Sequence, residues 1–161
     1  MSPLPRLATP DDASEVARLL HDFNTEFDTP SPGVDVLTGR LRRLLAGEST
    51  WAILVDSPSV AVALVTLRPN VWYEGRVALL DELYVVPALR GRGIGTAVIG
   101  LLEATALERG IDLIEINVDE GDVDAQRFYE RLGFSAIEPD TGERAYYYFR
   151  ELLDEPDDGP G

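Results

Sequence analysis

Two short stretches of this chain carry residue types and spacings that could do chemistry. The first is Arg90-Gly91-Arg92-Gly93-Ile94-Gly95-Thr96, where alternate glycines let the backbone turn so that successive N–H groups point into one concavity. A helical pattern begins at Ile94, so its unpaired first-turn donors and positive dipole end face the same place, which suits a pyrophosphate. The second is the adjacent pair Asp81-Glu82, which interrupts an otherwise apolar strand pattern from Arg76 to Val86. Carboxylates placed there are candidates for handling protons.

Two familiar phosphate loops do not fit the glycine run. A dinucleotide fingerprint started at Gly91 requires glycine at position 96, which is Thr96. A nucleoside-triphosphate loop requires Gly-Lys, and all 14 basic residues are arginine. The run is therefore a generic anion cradle until its context is added.

The elements that must hold these groups follow from periodicity. Leu4 to Ala8 reads as a first strand, and Thr9-Pro10-Asp11-Asp12 supplies a cap, an N-terminal proline and acids for a helix ending near Phe27. After the breaker cluster Thr29 to Gly33, Leu37, Leu41, Leu44 and Leu45 share one face of a second helix over Val34 to Ala46. Trp51 to Val55 and Val60 to Leu67 form a hairpin, and Arg76 to Val86 is a central strand apolar on both faces. A helix over Ile94 to Glu108, a strand over Ile111 to Val118, and a helix from Asp122 to about Leu132 follow. Strands at Phe134 to Ile137 and at the aromatic run Tyr146 to Phe149 complete the plan. The expected fold is α/β, a mixed, mostly antiparallel sheet of about seven strands with helices on both faces and a splayed parallel pair at its centre.

Composition bounds the function. The 161 residues suit one domain over 1–153, with an acidic, proline- and glycine-rich tail over 154–161 expected to be disordered. A formal charge of −15 repels nucleic acid and anionic membranes and accommodates cationic partners. No cysteine and one histidine, His21, argue against a metal site, so no metal is expected. No apolar stretch reaches membrane-spanning length, and the first residues lack the apolar core of a signal peptide, so we expect a cytoplasmic protein.

Arg90-x-x-Gly93-x-Gly95 follows Leu83-Tyr84-Val85-Val86-Pro87, and about thirty residues on comes Ala125-Gln126-Arg127-Phe128-Tyr129-Glu130-Arg131-Leu132-Gly133-Phe134. With these two motifs in this order, the chain resembles the GNAT superfamily of acetyl-CoA-dependent N-acetyltransferases, over about Leu4 to Leu152. The resemblance implies that the amides from Gly91 through Thr96, including those of Arg92, Gly93, Ile94 and Gly95, hold the pyrophosphate of acetyl-CoA, with Arg90 closing the loop. It implies that main-chain groups of Leu83 and Val85 pair with the pantetheine arm, and that Ala125 and Phe128 line its channel. Plain core packing is the other reading of these apolar positions. Tyr129 takes the position of the general acid that protonates the departing thiolate. Asp122 stands where the family often has Asn; it still caps a helix but cannot donate a hydrogen bond when ionised. Asn117, on the neighbouring strand, would orient the acetyl group or a water.

The attacking amine must lose a proton, and Asp81 and Glu82 are the carboxylates available for it. Strict strand alternation puts them on opposite faces. The resemblance implies Asp81 as the base, directly or through water, since GNAT relatives that acetylate polyamines or arylalkylamines have acid–base residues at its position, on the face of Leu83 and Val85; Glu82 is the second choice. Either acid also reads as the partner of an arginine such as Arg76, or as part of a strand bulge. The resemblance assigns acceptor choice to two segments, one holding Phe23, Glu26 and Phe27, the other Trp72 and Tyr73. Acids among aromatics suit an organic cation. The expected reaction is direct transfer to a primary amine in a ternary complex, the acceptor being polyamine-like or aminoglycoside-like. The alternatives are acetylation of protein N-termini or lysines, and an acyl-CoA sensor without turnover. A homodimer, with the strand from Tyr146 contributing, is also compatible with the family.

Overall fold

The computed structural model describes residues 2–152, so the expected acidic tail at 154–161 lies outside the described residues. The chain forms two compact units, one ending at Ile116 and one beginning at Asn117.

The first unit opens with β1 (Pro5–Leu7) and a 3-10 turn at Pro10–Asp12 leading into α1 (Ala13–Glu26). Asp12 fixes this entry. Its carboxylate accepts from both Arg6 guanidinium nitrogens at 2.8 and 2.9 Å and from the Thr9 amide at 2.8 Å, and these partners hold it well below the usual carboxylate range. Next come α2 (Val34–Ala46), β2 (Thr50–Val55), β3 (Ala61–Pro69), β4 (Arg76–Val85), α3 (Ile94–Glu108) and β5 (Ile114–Ile116). The five strands lie in sequence order, antiparallel from β1 through β4, with β5 parallel to β4.

Both faces of the sheet are covered, which is why every residue of β2 is buried. On one face Ala52, Leu54, Val62 and Tyr84 meet Val16, Leu19 and Leu20 of α1 and Leu41 of α2. Alternation leaves Ile53, Val55, Ala61, Ala63 and Val65 for the other face, where α3 buries Val98, Ile99 and Leu102. The start of the parallel pair is set by a close approach of two glycines, since a Cβ on Gly75 would stand 2.3 Å from the Gly110 carbonyl oxygen.

The second unit holds α4 (Val123–Arg131), which stops at Gly133 with φ of +93°. Two strands expected after it do not form. Ser135 accepts from the Ile137 amide at 3.0 Å, a local bond that competes with any ladder, and only the bridge Ile137 to Arg144 survives around the turn at Gly142. Tyr146 to Phe149 are exposed and join no ladder among the described residues, as befits a short hairpin without a third strand. Among the described residues the sheet therefore has five strands rather than seven, and the parallel pair β4–β5 lies at its edge rather than its centre. The strand expected over Ile111 to Val118 shrinks to Ile114–Ile116.

Gly75→Ala should cost about 1–3 kcal/mol because backbone meets backbone with nothing free to yield. Gly100→Ala, on the exposed side of α3 with nothing within 4 Å of the new methyl, should gain about 0.5–1 kcal/mol. Urea midpoints measured on both variants check the pair of signs.

Candidate active site

The glycine loop follows β4 through a 3-10 turn at Pro87–Leu89. Gly91 and Gly93 have φ of +74° and +82°, which side chains resist, while a Cβ at either position would meet nothing within 4 Å. Dihedral angle rather than crowding selects glycine here. Gly93 is the N-cap of α3 and its carbonyl accepts from the Ala97 amide at 3.0 Å. No side chain caps this end, so the first-turn amides of Ile94, Gly95 and Thr96 remain donors without helix partners. Arg92, within the loop, is exposed. This donor set and the dipole behind it fit a pyrophosphate.

The strand before the loop offers a main-chain edge. β5 pairs with β4 only opposite Ala78, Leu79 and Leu80. The Val86 amide donates to the Val60 carbonyl at 2.9 Å, so alternation turns the N–H and C=O groups of Leu83 and Val85 away from β3, toward the side that β5 leaves unpaired. Those are the groups an extended pantetheine arm would use.

A bulge changes where the two acids point. Leu64 pairs with Glu82 and Val65 with Leu80, which leaves Asp81 as an extra residue on β4. The Thr66 hydroxyl donates to Asp81 Oδ2, which puts Asp81 on the face of Thr66, Leu64 and Val62. Glu82 and Tyr84 share that face, the one covered by α1 and α2. The expectation that Asp81 lies with Leu83 and Val85, opposite Glu82, is thus corrected: the extra residue resets the alternation and sets both acids on one side. Burial pushes the pKa of each carboxyl up, and the neighbouring Asp81 charge raises Glu82 further. Neither forms an ion pair among the described residues; Arg76 donates to the Glu48 carbonyl and Arg68 pairs with Glu115 at 2.7 Å.

The end of α1 reaches the start of the loop. Glu26 accepts from Arg90 Nη2 at 2.8 and 3.0 Å and from the Tyr84 hydroxyl at 3.3 Å. Phe23 packs edge-on against Tyr84 and also touches Phe27, with ring centroids 5.2 Å apart in each pair. Trp72 and Tyr73 lie instead in the β3–β4 connection, with Trp72 85% exposed, at the opposite end of β4 from Glu26. Ten residues of strand separate the two groups, roughly 30 Å. Thr66 and Tyr84 escaped the sequence reading because each looks like an ordinary strand residue until the register is known.

In the second unit, Asp122 Oδ1 accepts from the Ala125 amide at 3.1 Å, the cap expected of it. Phe128, Tyr129 and Phe134 form a row of edge-to-face rings, with centroids 5.0 and 5.8 Å apart, that leaves Tyr129 half-buried. Asn117 opens this unit just after β5.

A cavity of about 530 Å³ lies elsewhere in the first unit, lined by Thr9, Trp51, Arg76 and Arg109 among others. Arg76 begins β4, so the cavity sits at the end of that strand remote from the loop. No group of three or more potential metal ligands occurs among the described residues, and no helix among them is long and apolar enough to cross a membrane.

A family model described as acetyltransferase (GNAT) family matches residues 15–134. Mouse thialysine N-ε-acetyltransferase is 24% identical over 93% of this chain and 94% of its own. A crystal structure from Arthrobacter sp. FB24, assigned provisionally as an acetyltransferase, is 52% identical with a TM-score of 0.88, covering 92% of this chain and 96% of that one. An aminoglycoside acetyltransferase from an uncultured soil metagenomic sample, in complex with sisomicin, shares the fold with a TM-score of 0.77 at 17% identity, covering 94% and 97%.

Because the folded state raises the pKa of Asp81 and Glu82, it binds their protons more tightly than the unfolded chain does. Their contribution to stability is therefore lost as pH rises from the ordinary carboxylate range through the raised values. Glu82→Gln and Asp81→Asn should each raise the melting temperature at neutral pH, Glu82→Gln by more, and the gain should vanish below about pH 4. Equal shifts at both pH values would show that the charges carry no such penalty.

Proposed function

The chain belongs to the GNAT acetyltransferase family, and we propose that it transfers the acetyl group of acetyl-CoA directly to a primary amine on a small cationic acceptor. The observation that carries this reading is the bulge that sets Asp81 and Glu82 on one face with raised pKa values. A mouse relative named for the ε-nitrogen of thialysine, a similarly folded protein holding sisomicin, and a charge of −15 all favour a small amine.

The residues divide the work by chemistry. Loop amides from Gly91 to Thr96 and the main chain of Leu83 and Val85 hold the donor, whose thioester supplies the acetyl group. Ala125 and Phe128 line the arm's path, and Asn117 orients the acetyl group. The acceptor arrives as an ammonium; Asp81, directly or through one water, takes its proton. The nitrogen's freed lone pair forms the C–N bond to the acetyl carbon as the C–S bond breaks, and its remaining surplus proton, like the one taken by Asp81, passes to solvent water. The Tyr129 hydroxyl protonates the departing thiolate and is reprotonated from solvent. Glu82, whose carboxyl the Asp81 charge pushes up, is the second acid beside that proton, and Phe23, Glu26 and Phe27 bound the acceptor.

Thiol release from acetyl-CoA, measured against polyamines, aminoglycosides, amino-acid amines and peptides, tests the proposal. Small cations should be turned over best, with kcat/KM rising with pH through a carboxylate pKa above the ordinary range. Asp81→Asn and Tyr129→Phe should each lower kcat roughly 10²-fold. Turnover with peptides alone would make this a protein acetyltransferase, and CoA binding without turnover would make it a sensor.

A further inference from the structure

Arg90 opens the glycine loop, yet its guanidinium is turned back toward α1. Nε donates to the Val85 carbonyl at 2.9 Å, Nη2 reaches both Glu26 oxygens, and the group lies 5.5 Å from the Tyr84 ring centre. Val85 is one of the residues whose outward main chain would meet the pantetheine arm, so Arg90 occupies a donor-site acceptor as well as a carboxylate.

A pyrophosphate carries more charge than one carboxylate and offers a guanidinium paired acceptor oxygens. Arg90 lies within the loop that would receive it, and its present ion pair is partly wet, with Glu26 27% and Arg90 42% exposed. Such a pair is weak enough to exchange. When Arg90 leaves, Glu26 keeps the Tyr84 hydroxyl but loses its countercharge. A carboxylate bonded to the hydroxyl of Tyr84, whose ring packs on Phe23 and through it on Phe27, suits an alkyl ammonium through charge and ring faces.

We propose that Glu26 is a switched anchor: it holds Arg90 until the donor's pyrophosphate draws that residue away, and then binds the acceptor's ammonium. The donor therefore binds first and creates the cation site. Linkage requires the acceptor to strengthen donor binding by the same factor. This rests on the small-cation reading for its second half and on the glycine loop alone for its first.

Calorimetry separates the two halves. Glu26→Gln should tighten CoA binding roughly two- to fivefold, the range for a partly exposed ion pair, and should tighten binding of pantetheine, which lacks the pyrophosphate, by less. In an Arg90→Gln background the Glu26→Gln gain should disappear. Spermidine, used as the probe amine, should bind the wild type more tightly when CoA is present, and Glu26→Gln should abolish that gain. Unchanged or weaker CoA binding in Glu26→Gln, or an equal effect on pantetheine, would overturn the switch. Tighter CoA binding by Glu26→Gln together with no spermidine binding to any form would overturn Glu26 as the ammonium anchor while upholding the donor-released clamp.

Discussion

One extra residue in β4 decides what the rest of the site can do. A strand that alternates strictly cannot present neighbouring residues to one side, so Asp81 and Glu82 would have divided between the two faces. The bulge opposite Leu64 and Val65 removes that restriction and sets both carboxylates on the side covered by α1 and α2. Packing then desolvates both, and the Asp81 charge raises Glu82 further. Folding thus holds two costly carboxylates together, a local instability that the buried sheet around them can sustain, and in the proposed reaction this is where the amine's proton goes.

In the proposed reaction the same strand serves both substrates, because its two outputs are orthogonal. Side chains of Asp81, Glu82 and Tyr84 rise from one face, while the main chain of Leu83 and Val85 points in the plane of the sheet toward the side that β5 leaves unpaired. The loop that follows adds amide donors by adopting dihedrals that only glycine takes easily, at Gly91 and Gly93. Donor recognition as proposed rests mainly on backbone, so it tolerates an acidic chain, and the negative field is left to act on the proposed cationic acceptor.

What the sequence made legible follows from the range of each signal. Helices α2 and α3 and the hairpin of β2 and β3 are local periodicities, and the glycine run with its following helix is a local motif, so each was readable within a residue or two. The direction of Asp81 was not, because a bulge is a property of the pairing with Leu64 and Val65, seventeen or so positions away. Glu26 was recognisable as an acid among aromatics, but its bond to Arg90 spans 64 positions and leaves no periodic trace. The last two expected strands had the right residue types, yet Ser135 satisfies its neighbourhood locally and the aromatic run at Tyr146 has no strand beside it among the described residues. β-propensity says that a segment suits a ladder, not that a ladder is available.

The proposed catalysis depends on where the acceptor nitrogen lies against β4. A crystal structure of the ternary complex with CoA and a non-reacting polyamine analogue measures this directly. The nitrogen is expected on the α1 and α2 side, within about 3 Å of an Asp81 oxygen or joined to it through one water. A nitrogen on the α3 side, or held at Trp72 and Tyr73 away from both carboxylates, would contradict it.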